Sequence, residues 1–368
     1  MSSRSLSIGI VGLPNVGKST LFNALTRKSV LVANYPFATI DPSVGVVALP
    51  DERLRKLSEF SHSRKTVPAA VEFVDIAGLV KGASQGQGLG NKFLANIRET
   101  DAIAEVVRIF DDGGIIHVDG RVDPVKDIEA VNLELIMADL ETVDKRLASV
   151  AKDAKAGKKE ARIEQGLLER LKPSLEAGRP ASSVTADEFE RPMLNRLCLL
   201  TSKRILYVLN KKAGGANLDE LRDGRWDKLM AFMKENGASW VAVDAGLEQE
   251  LKDMNDADKR EMRSGLGAKD DGVDGLIRKS HDMLGLITFF TTGEDETRGW
   301  TIHDGWTAPM AGMAIHTDFK DKFVRAEVIN WKTLLDAGSY AAAREKGLIR
   351  TEGKEYVVKD GDVVEFKV

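Results

Sequence analysis

The segment GLPNVGKS, from Gly12 to Ser19, has the residue types and spacing of a phosphate-binding loop. It fits the pattern G-x-x-x-x-G-K-[ST], in which backbone N–H groups surround the phosphates, the lysine reaches the terminal phosphates and the hydroxyl binds Mg²⁺. A β-rich run (Ile8 to Val11) precedes it, and an amphipathic stretch with Leu21, Phe22 and Leu25 follows. This order predicts a strand, a loop and a helix whose N-terminus attracts anions.

Six consecutive residues are the candidate ligands for a bound nucleotide's phosphates. They are Asn15, Val16, Gly17, Lys18, Ser19 and Thr20. Lys18 is also a candidate catalytic residue, because its charge would stabilise the terminal phosphate during transfer. The helix that Ser19 and Thr20 begin adds the positive end of its dipole to the same anion site.

Two later segments supply candidate metal ligands. The apolar run EFVD ends in Asp75, which can hold the Mg²⁺ shell, and the N–H group of Gly78 can meet a γ-phosphate. In the segment NYPFATIDP, Thr39 follows Ser19 at a separation typical of a switch loop whose hydroxyl completes the metal shell. The candidate metal ligands are therefore Ser19, Thr39 and Asp75, and Gly78 is a candidate catalytic residue.

The residue after Gly78 raises the question of what orients the attacking water. Many GTPases use a glutamine there, but this chain has Leu79, which can neither accept a proton nor hydrogen-bond to water. Hydrolysis must therefore be slow or use another residue. His117 lies in DDGGIIHVDG, shortly after the strand-like run AIAEVVRIF, where the strand edge would bring it towards the phosphates. A packing role for this histidine remains open.

The stretch YVLNKKAGG resembles the start of a guanine-recognition loop without its aspartate. Asn210 and Lys211 are candidate nucleotide-binding residues, but Ala213 stands where a GTP-selective site has Asp. Guanine presents N1–H and N2–H₂ as paired donors that need a carboxylate, whereas adenine does not. We therefore expect ATP to be favoured modestly, with Ala213→Asp moving the preference towards GTP. The later strand-like run SWVAVDAGLEQEL would close the base pocket around residues 243–246.

Composition excludes several classes of protein. The chain has 368 residues, 43% hydrophobic content and a net charge of −4, which is typical of a multidomain globular protein rather than a basic nucleic-acid coat. Its one cysteine, Cys198, rules out an intramolecular disulfide, and we expect it to be buried in the run LCLL. The N-terminal apolar run is too short for a signal peptide, so a cytoplasmic location is expected.

Two apolar repeats predict a helical hairpin in the middle of the chain. In the first repeat the apolar residues alternate at three- and four-residue spacing: Leu133, Ile136, Leu140, Val143, Leu147 and Val150. In the second they recur every four residues: Ile163, Leu167, Leu171 and Leu175. Between Asp144 and Arg179 the hairpin holds ten Lys/Arg against six Asp/Glu, so it is basic in an acidic protein. The excess charge is either a solvated face or a surface for RNA phosphates. A buried strand at Ile205 to Leu209 then resumes the nucleotide domain.

After about residue 282 the pattern changes to short alternating strands. The predicted strands are LITFFTT, MAIHTDF and RAEVI, followed by YVVKDGDVVEFKV as a hairpin with a turn at Asp360 and Gly361. This pattern predicts a separate β-rich C-terminal domain.

Four segments together closely resemble the Obg-like ATPase (YchF-type) family of P-loop NTPases. They are GLPNVGKST, NYPFATIDP, DIAGLVKGASQGQGLGNKFL, and IIHV followed by VDPVKDIE. The resemblance continues to the C-terminus and implies an α/β fold with a P-loop NTPase G domain at residues 1–130 and 200–282. It further implies an inserted α-helical coiled-coil arm at residues 131–199 and a C-terminal β-grasp (TGS) domain at residues 283–368.

The resemblance also implies a function. Members are Mg²⁺-dependent NTPases that prefer ATP to GTP, lack the catalytic glutamine and associate with ribosomes, so we expect a nucleotide-dependent switch in translation or stress response. The expected partners are ATP and the ribosome, at its large subunit and rRNA, with no membrane or DNA partner and a monomeric state. His117 matches the loop histidine proposed in the family to replace glutamine, and Asn15 matches a position that helps bind K⁺ in related NTPases.

One residue departs from the family pattern. Members usually carry Asn-x-x-Glu at the base-recognition turn, and this sequence has Ala213 where Glu would fall. Two alternatives therefore stay open: a GTPase or dual-specificity NTPase, and a nucleotide-gated ribosome- or RNA-binding module in which hydrolysis is incidental.

Overall fold

A computed structural model describes residues 6–26, 43–76, 89–115, 117, 120–221, 223–251, 254, 256–266 and 272–368. The predicted residues Thr39, Gly78 and Leu79 lie outside these ranges. Within the described helices, none is both long and apolar enough to cross a membrane.

The described residues form fourteen strands and fourteen α-helices. The strands are β1 (Ser7–Val11), β2 (Val44–Ala48), β3 (Lys65–Val67), β4 (Ala70–Asp75), β5 (Ala102–Arg108), β6 (Phe110–Asp111), β7 (Arg204–Asn210), β8 (Ala216–Asn217), β9 (Ser239–Val243), β10 (Leu286–Thr291), β11 (Glu296–His303), β12 (Arg325–Asn330), β13 (Arg350–Glu352) and β14 (Asp362–Lys367). The helices are α1 (Lys18–Thr26), α2 (Glu52–Phe60), α3 (Leu89–Glu99), α4 (Pro124–Lys155), α5 (Lys159–Glu176), α6 (Arg191–Leu197), α7 (Gly224–Glu235), α8 (Ala245–Leu251), α9 (Asp256–Gly265), α10 (Gly272–Met283), α11 (Ala308–Gly312), α12 (Asp318–Lys322), α13 (Trp331–Ala337) and α14 (Tyr340–Glu345).

The chain forms two compact units. The larger unit contains Ser7–Arg27 and Phe73–Val273, and the smaller unit contains Met1–Leu6, Lys28–Glu72 and Asp274–Val368. The larger unit has the strand order β4-β1-β5-β7-β9, in which β1, β5, β7 and β9 pair in parallel. Parallel strands buried on both faces read as continuous apolar runs, as β1 and β7 do. Their carboxyl ends therefore meet at one edge, where such sheets bind ligands.

The inserted arm is a helical hairpin, as predicted, made of α4 and α5. Asp123 caps α4 and Pro124 takes its first turn, so the helix begins before the first predicted seam residue. Gly157, at a φ of 88°, makes the left-handed turn between the helices. Nearly all seam residues are buried or half-buried, but Leu133 is 56% exposed, because the segment it starts lies beyond the overlap with α5.

A buried carboxylate connects the arm to the returning strand. Asp139 on α4 is fully buried and accepts hydrogen bonds from the Leu200 N–H (2.8 Å), the Thr201 N–H (2.7 Å) and the Thr201 hydroxyl (2.7 Å). Burial raises the pKa of Asp139, while these donors oppose the shift. The carboxylate thus fixes the base of the arm where the chain enters β7.

Cys198 is exposed, so the predicted burial is wrong. It is the residue after α6 and adopts the left-handed conformation, with a φ of 47°. This backbone turn directs its side chain outwards, while the neighbouring Leu199 and Leu200 are fully buried. The direction of the backbone at this turn, rather than the type of residue, decides which of these side chains reaches the core.

The smaller unit has a sheet with the strand order β13-β12-β14-β10-β11-β3. The predicted strands LITFFTT and RAEVI are β10 and β12. The predicted strand MAIHTDF is wrong, since it falls in the segment of short helices α11 and α12, where Pro309 takes the first turn of α11. The predicted C-terminal hairpin is also wrong: β14 pairs with β12 in antiparallel and with β10 in parallel orientation.

An N-terminal segment belongs to this smaller unit. The sequence-based boundaries place residues 1–130 in the nucleotide domain, but β3 pairs in parallel with β11. Leu54 and Leu57 of α2 are buried with Phe290 and Ile329. An amphipathic helix and a short strand do not encode which sheet they join, and here the apolar surface of the C-terminal sheet takes them. The other predicted boundaries stay predictions.

Candidate functional site

The loop between β1 and α1 has a backbone that only certain residues adopt. Gly12 and Gly17 have φ values of 146° and 101°, and Asn15 has a φ of 62°. A Cβ atom on Gly12 would lie 2.5 Å from the Val106 carbonyl oxygen, so this part of the loop lies directly against β5. Successive N–H groups in such a conformation form a concave anion site.

Lys18 lies at the end of this loop and is buried. Its ammonium group donates to the Leu13 carbonyl oxygen at 2.7 Å. Burial lowers the pKa of Lys18 to about 8, and the negative charge of Asp75 opposes this shift. Burial in turn raises the pKa of Asp75, while Lys18 opposes it. A phosphate at the loop would favour the charged form of Lys18, as an opposite charge does.

The first turn of α1 follows immediately. The Leu21 N–H donates to the Gly17 carbonyl at 2.9 Å, which closes the first helical turn. The N–H groups before it have no acceptor within the helix and can point at an anion. Ser19 is exposed and Thr20 is half-buried, so both hydroxyls are within reach of a ligand at this helix end.

The donor set at this end of the sheet suits a hard cation. Among the described residues, no three or more His, Cys, Asp or Glu side chains form a metal cluster. Mg²⁺ needs none, because it is usually held by one or two protein oxygens together with water and substrate phosphates. Ser19 and Asp75 supply oxygens of this kind, and the third predicted ligand, Thr39, lies outside the described residues.

Asn210 connects the phosphate loop to the far side of the sheet. It is 5% exposed, and its Nδ2 donates to the Val16 carbonyl at 2.8 Å while its Oδ1 accepts from the Ala245 N–H at 3.0 Å. A Cβ atom on Gly17 would lie 2.3 Å from Nδ2, so glycine is required for this approach. The predicted base-binding residue therefore also positions the loop, and its Nδ2 carries a second hydrogen for a ligand.

The turn after Asn210 is anchored on two sides. The Lys211 N–H donates to the Val243 carbonyl at 2.9 Å, and the Lys212 N–H donates to Asn217 Oδ1 at 2.9 Å. The Ala213 N–H donates to Asp244 Oδ2. The turn and residues 243–246 are thus adjacent, as the sequence predicts for a base pocket.

Both lysine side chains of this turn are ion-paired. The Lys211 ammonium group lies 2.8 Å from Asp219 and 2.9 Å from Glu220. Burial acts to lower the pKa of Lys211, but the two carboxylates raise it above its usual value. The Lys212 ammonium group pairs with Asp112. Lys211 can therefore offer a nucleotide its aliphatic chain, while its charge is held by acids.

His117 is buried, as the packing role that the sequence left open would require. It is 8% exposed, and its Nε2 lies 3.0 Å from Asp127 Oδ2, in the first turn of α4. The sequence motif VDPVKD predicts the start of the helix that carries Asp127, but it does not predict that Asp127 pairs with His117. Since the chain turns back at Asp123 and Pro124, the histidine faces the helix it precedes.

Two buried charged residues near His117 were not found by sequence reasoning. Arg108, at the end of β5, donates to the carbonyl oxygens of Phe110 (2.9 Å), Asp112 (3.2 Å) and Ile115 (3.2 Å). Glu105 lies inside β5, and burial raises its pKa well above the usual value, with Asp127 adding to the shift. Arg108 therefore shapes the loop that carries His117. Burial favours the neutral form of the Glu105 carboxyl group.

Replacing Asn210 with alanine tests the connection between the loop and the sheet. The change leaves the Val16 carbonyl and the Ala245 N–H without their partner, at about 1–3 kcal/mol for each buried group. We expect a lower free energy of unfolding in urea and nucleotide binding weaker by about tenfold or more, as 1.4 kcal/mol corresponds to tenfold.

The matched control is Asn236→Ala, because Asn236 is exposed at the end of α7 and bonds only locally to Phe232. It should change stability by no more than about 0.5 kcal/mol. Equal effects of the two substitutions would contradict the positioning role of Asn210.

Comparison with known proteins identifies the family of the chain. Residues 7–155 match the MMR_HSR1 family, "50S ribosome-binding GTPase", and residues 286–368 match the YchF-GTPase_C family, "Protein of unknown function (DUF933)". The chain is 49% identical to "Ribosome-binding ATPase YchF" of Bacillus subtilis, over 99% of each chain. It is 44% identical to the protein of the same name from Escherichia coli O157:H7, over 97% of this chain and 98% of that protein.

A solved structure agrees with these sequence relatives. "Structure of the Schizosaccharomyces pombe YchF GTPase" matches with a TM-score of 0.86 and 39% identity, and covers 100% of this chain and 99% of that chain. The predicted fold class, a P-loop G domain with an inserted helical arm and a distinct C-terminal domain, is confirmed. The chain belongs to the YchF family.

Proposed function

We propose that this chain is a ribosome-associated ATPase that works as a nucleotide-dependent switch in translation or stress response. The observation that carries the proposal is the phosphate loop fixed between β5 and Asn210, in a chain alike along its whole length to proteins named ribosome-binding ATPases. In this proposal Asn15, Val16, Gly17, Lys18, Ser19 and Thr20 bind the phosphates, and Asn210 and Lys211 contact the base. ATP is the favoured nucleotide.

Mg²⁺ is the proposed cofactor. Bound with the nucleotide, it would neutralise charge between the β- and γ-phosphates. Ser19 and Asp75 supply suitable oxygens, Thr39 is the third proposed ligand, and Gly78 is proposed to meet the γ-phosphate. Lys18 neutralises charge on the same phosphates. K⁺ is a further proposed cofactor through Asn15, whose left-handed backbone directs an exposed side chain from the loop.

The names of the relatives differ in the nucleotide that they give. The bacterial relatives are named ATPases, whereas the yeast structure and the family matching residues 7–155 are named GTPases. Ala213 offers no carboxylate to guanine, which supports ATP as the preferred nucleotide. Loss of a bidentate charged contact leaves donors of the ligand unpaired, which disfavours GTP.

The arm supports ribosome docking through the distribution of its charges. Lower on the arm, cations pair with acids: Lys145 with Glu141 (2.5 Å), Arg146 with Glu164 (2.7 Å) and Lys172 with Asp144 (2.7 Å). At the tip, Lys155 and Lys159 are exposed on either side of the turn. Within residues 120–221, all of which the structure describes, neither lysine forms an ion pair with a carboxylate. Unpaired cations at a projecting tip suit RNA phosphates, and we propose rRNA of the large subunit as the partner.

A second function is favoured by the burial of His117. With its Nε2 bound to Asp127 at 3.0 Å, the buried ring is held against α4, which disfavours a position open to a phosphate. Slow hydrolysis then suits a nucleotide-gated ribosome- or RNA-binding module in which turnover is incidental. Both functions place the protein in the cytoplasm as a monomer, without a membrane or DNA partner.

The ATP and GTP affinities of the purified protein test the nucleotide preference. We expect ATP to bind more tightly by a factor between about 2 and 20, or about 0.4–1.8 kcal/mol, in isothermal titration with Mg²⁺ present. Lys18→Ala should weaken both nucleotides and so identifies the titrated site. A GTP affinity equal to or above that for ATP would overturn the preference.

Substitution of His117 separates the two functions. If His117 orients water, His117→Ala should lower kcat for ATP by about 10²-fold or more with an unchanged ATP Kd, as loss of a general base does. Asp127→Asn, which weakens the buried pair without removing the ring, serves as the matched variant and should retain turnover. Wild-type turnover in His117→Ala would refute the catalytic role and favour the binding module.

Charge reversal at the arm tip tests ribosome docking. We expect Lys155→Glu with Lys159→Glu to weaken cosedimentation with large ribosomal subunits and to lower the salt slope of binding by about 1.4–1.8, since each of the two phosphate contacts contributes about 0.7–0.9. The control is Lys145→Glu with Lys172→Glu, which changes the net charge equally at cations already paired. Equal binding by the two double variants would refute the tip as the docking surface.

A further inference from the structure

The base-recognition turn lacks a carboxylate in sequence but has one in space. The Ala213 N–H donates to Oδ2 of Asp244, which lies 31 positions later in the chain. An aspartate at position 213 would place its own carboxylate within a few ångströms of that N–H group, in the region where Asp244 already lies. Asp244 comes from the loop between β9 and α8, which the sequence predicts to close the base pocket.

The Asp244 side chain is held in place from both sides. Its Oδ1 accepts from the Leu247 N–H at 2.9 Å in the first turn of α8. On one flank the Lys211 N–H binds the Val243 carbonyl at 2.9 Å, and on the other Asn210 Oδ1 accepts from the Ala245 N–H at 3.0 Å. Hydrogen bonds on both sides thus fix the distance between the turn and the loop, so the position of the carboxylate does not depend on a single contact.

The carboxylate retains the capacity to accept further hydrogen bonds. A carboxylate has about four lone-pair sites, and the two described contacts use one on each oxygen. The side chain is half-buried, so part of it faces solvent. Among the described residues no cation pairs with Asp244, since Lys211 is held by Asp219 and Glu220 and Lys212 by Asp112. Its charge is therefore available to a ligand with paired donors.

We propose that Asp244 supplies the carboxylate that position 213 lacks and accepts hydrogen bonds from N1–H and N2–H₂ of guanine. The inference rests on the proposed function, in that the site must hold a purine nucleotide. It makes GTP a second nucleotide of this protein and Asp244 the residue that sets how strongly ATP is preferred. Adenine has an acceptor at N1, so a carboxylate gains only the N6 donor and helps ATP less.

The same geometry changes what a new carboxylate at position 213 would do. In the unaltered protein, Ala213→Asp would bring a second carboxylate beside Asp244. Each of two neighbouring carboxylates disfavours the charged form of the other. Ala213→Asp should therefore raise the GTP affinity less than it would if Asp244 were absent. The two positions should not be additive, as is usual for residues in contact.

Asp244→Asn is the variant that tests the proposal. Asparagine has a single acceptor oxygen, so only one of the Leu247 and Ala213 N–H groups keeps its partner. Its NH₂ group opposes the donors of guanine but can donate to the N1 acceptor of adenine. In isothermal titration with Mg²⁺ we expect the GTP Kd to rise by about tenfold or more, the cost of one lost charged contact, and the ATP Kd to stay within about twofold. Asp244→Ser, which keeps the cap without the charge, should shift the ratio in the same direction.

The control is Asp223→Asn, because Asp223 also caps a helix, by accepting from the Arg225 N–H at 2.8 Å at the start of α7. It should leave both affinities unchanged. Ala213→Asp made in the Asp244→Asn background should raise GTP affinity more than the same change in the unaltered protein. An equal gain in both backgrounds would count against the shared role of the two positions.

The outcomes distinguish this inference from the proposed function. If the unaltered protein binds neither nucleotide, the proposed function fails and the inference fails with it. If the unaltered protein and Asp244→Asn both bind ATP normally and GTP affinity is unchanged, the inference alone is overturned, since intact ATP binding shows that the variant is folded.

Discussion

The amide of Asn210 is the contact on which the rest of the nucleotide site depends. It lies at the carboxyl end of β7 and reaches the phosphate loop through the Val16 carbonyl and the loop before α8 through the Ala245 N–H. Because the amide is buried, neither group has solvent as an alternative partner. One side chain therefore sets the spacing between the loop that we propose to bind phosphate and the turn that we propose to contact the base.

A second buried group fixes the chain beyond β5. Arg108 binds three carbonyl oxygens of the segment that follows it, and Asp127 receives His117 at the start of α4. Burial raises the pKa of Glu105 well above its usual value, and Asp127 adds to the shift. Moving the His117 ring towards a phosphate therefore has a cost, because the buried hydrogen bond to Asp127 would be broken.

The arm and the smaller unit are each held together by different contacts. Within the larger unit, Asp139 of the arm binds the segment that leads into β7, and acids of the arm pair with Lys145 and Lys172, whereas Lys155 and Lys159 lie at the tip. The smaller unit is completed by α2 and β3 from the N-terminal half of the chain.

The sequence by itself determined the local chemistry of this protein. The phosphate loop, the strands around it, the helical hairpin and the missing carboxylate at Ala213 could all be predicted, because spacing and hydrophobic period act within one element. The strand order and the orientation of single side chains could not be predicted in this way. The exposed Cys198 and Leu133 show the limit, since burial depends on what packs opposite a residue.

Only the tertiary structure decided which distant residues act together. It placed β3 beside β11, His117 against Asp127, and Asp244 at the N–H of Ala213. Each of these pairings joins residues from separate elements, and no local pattern encodes a contact made by the packing of a sheet against its loops. The turn at Ala213 lacks a carboxylate when the sequence is read along the chain, and it has one because the parallel strands β7 and β9 end side by side.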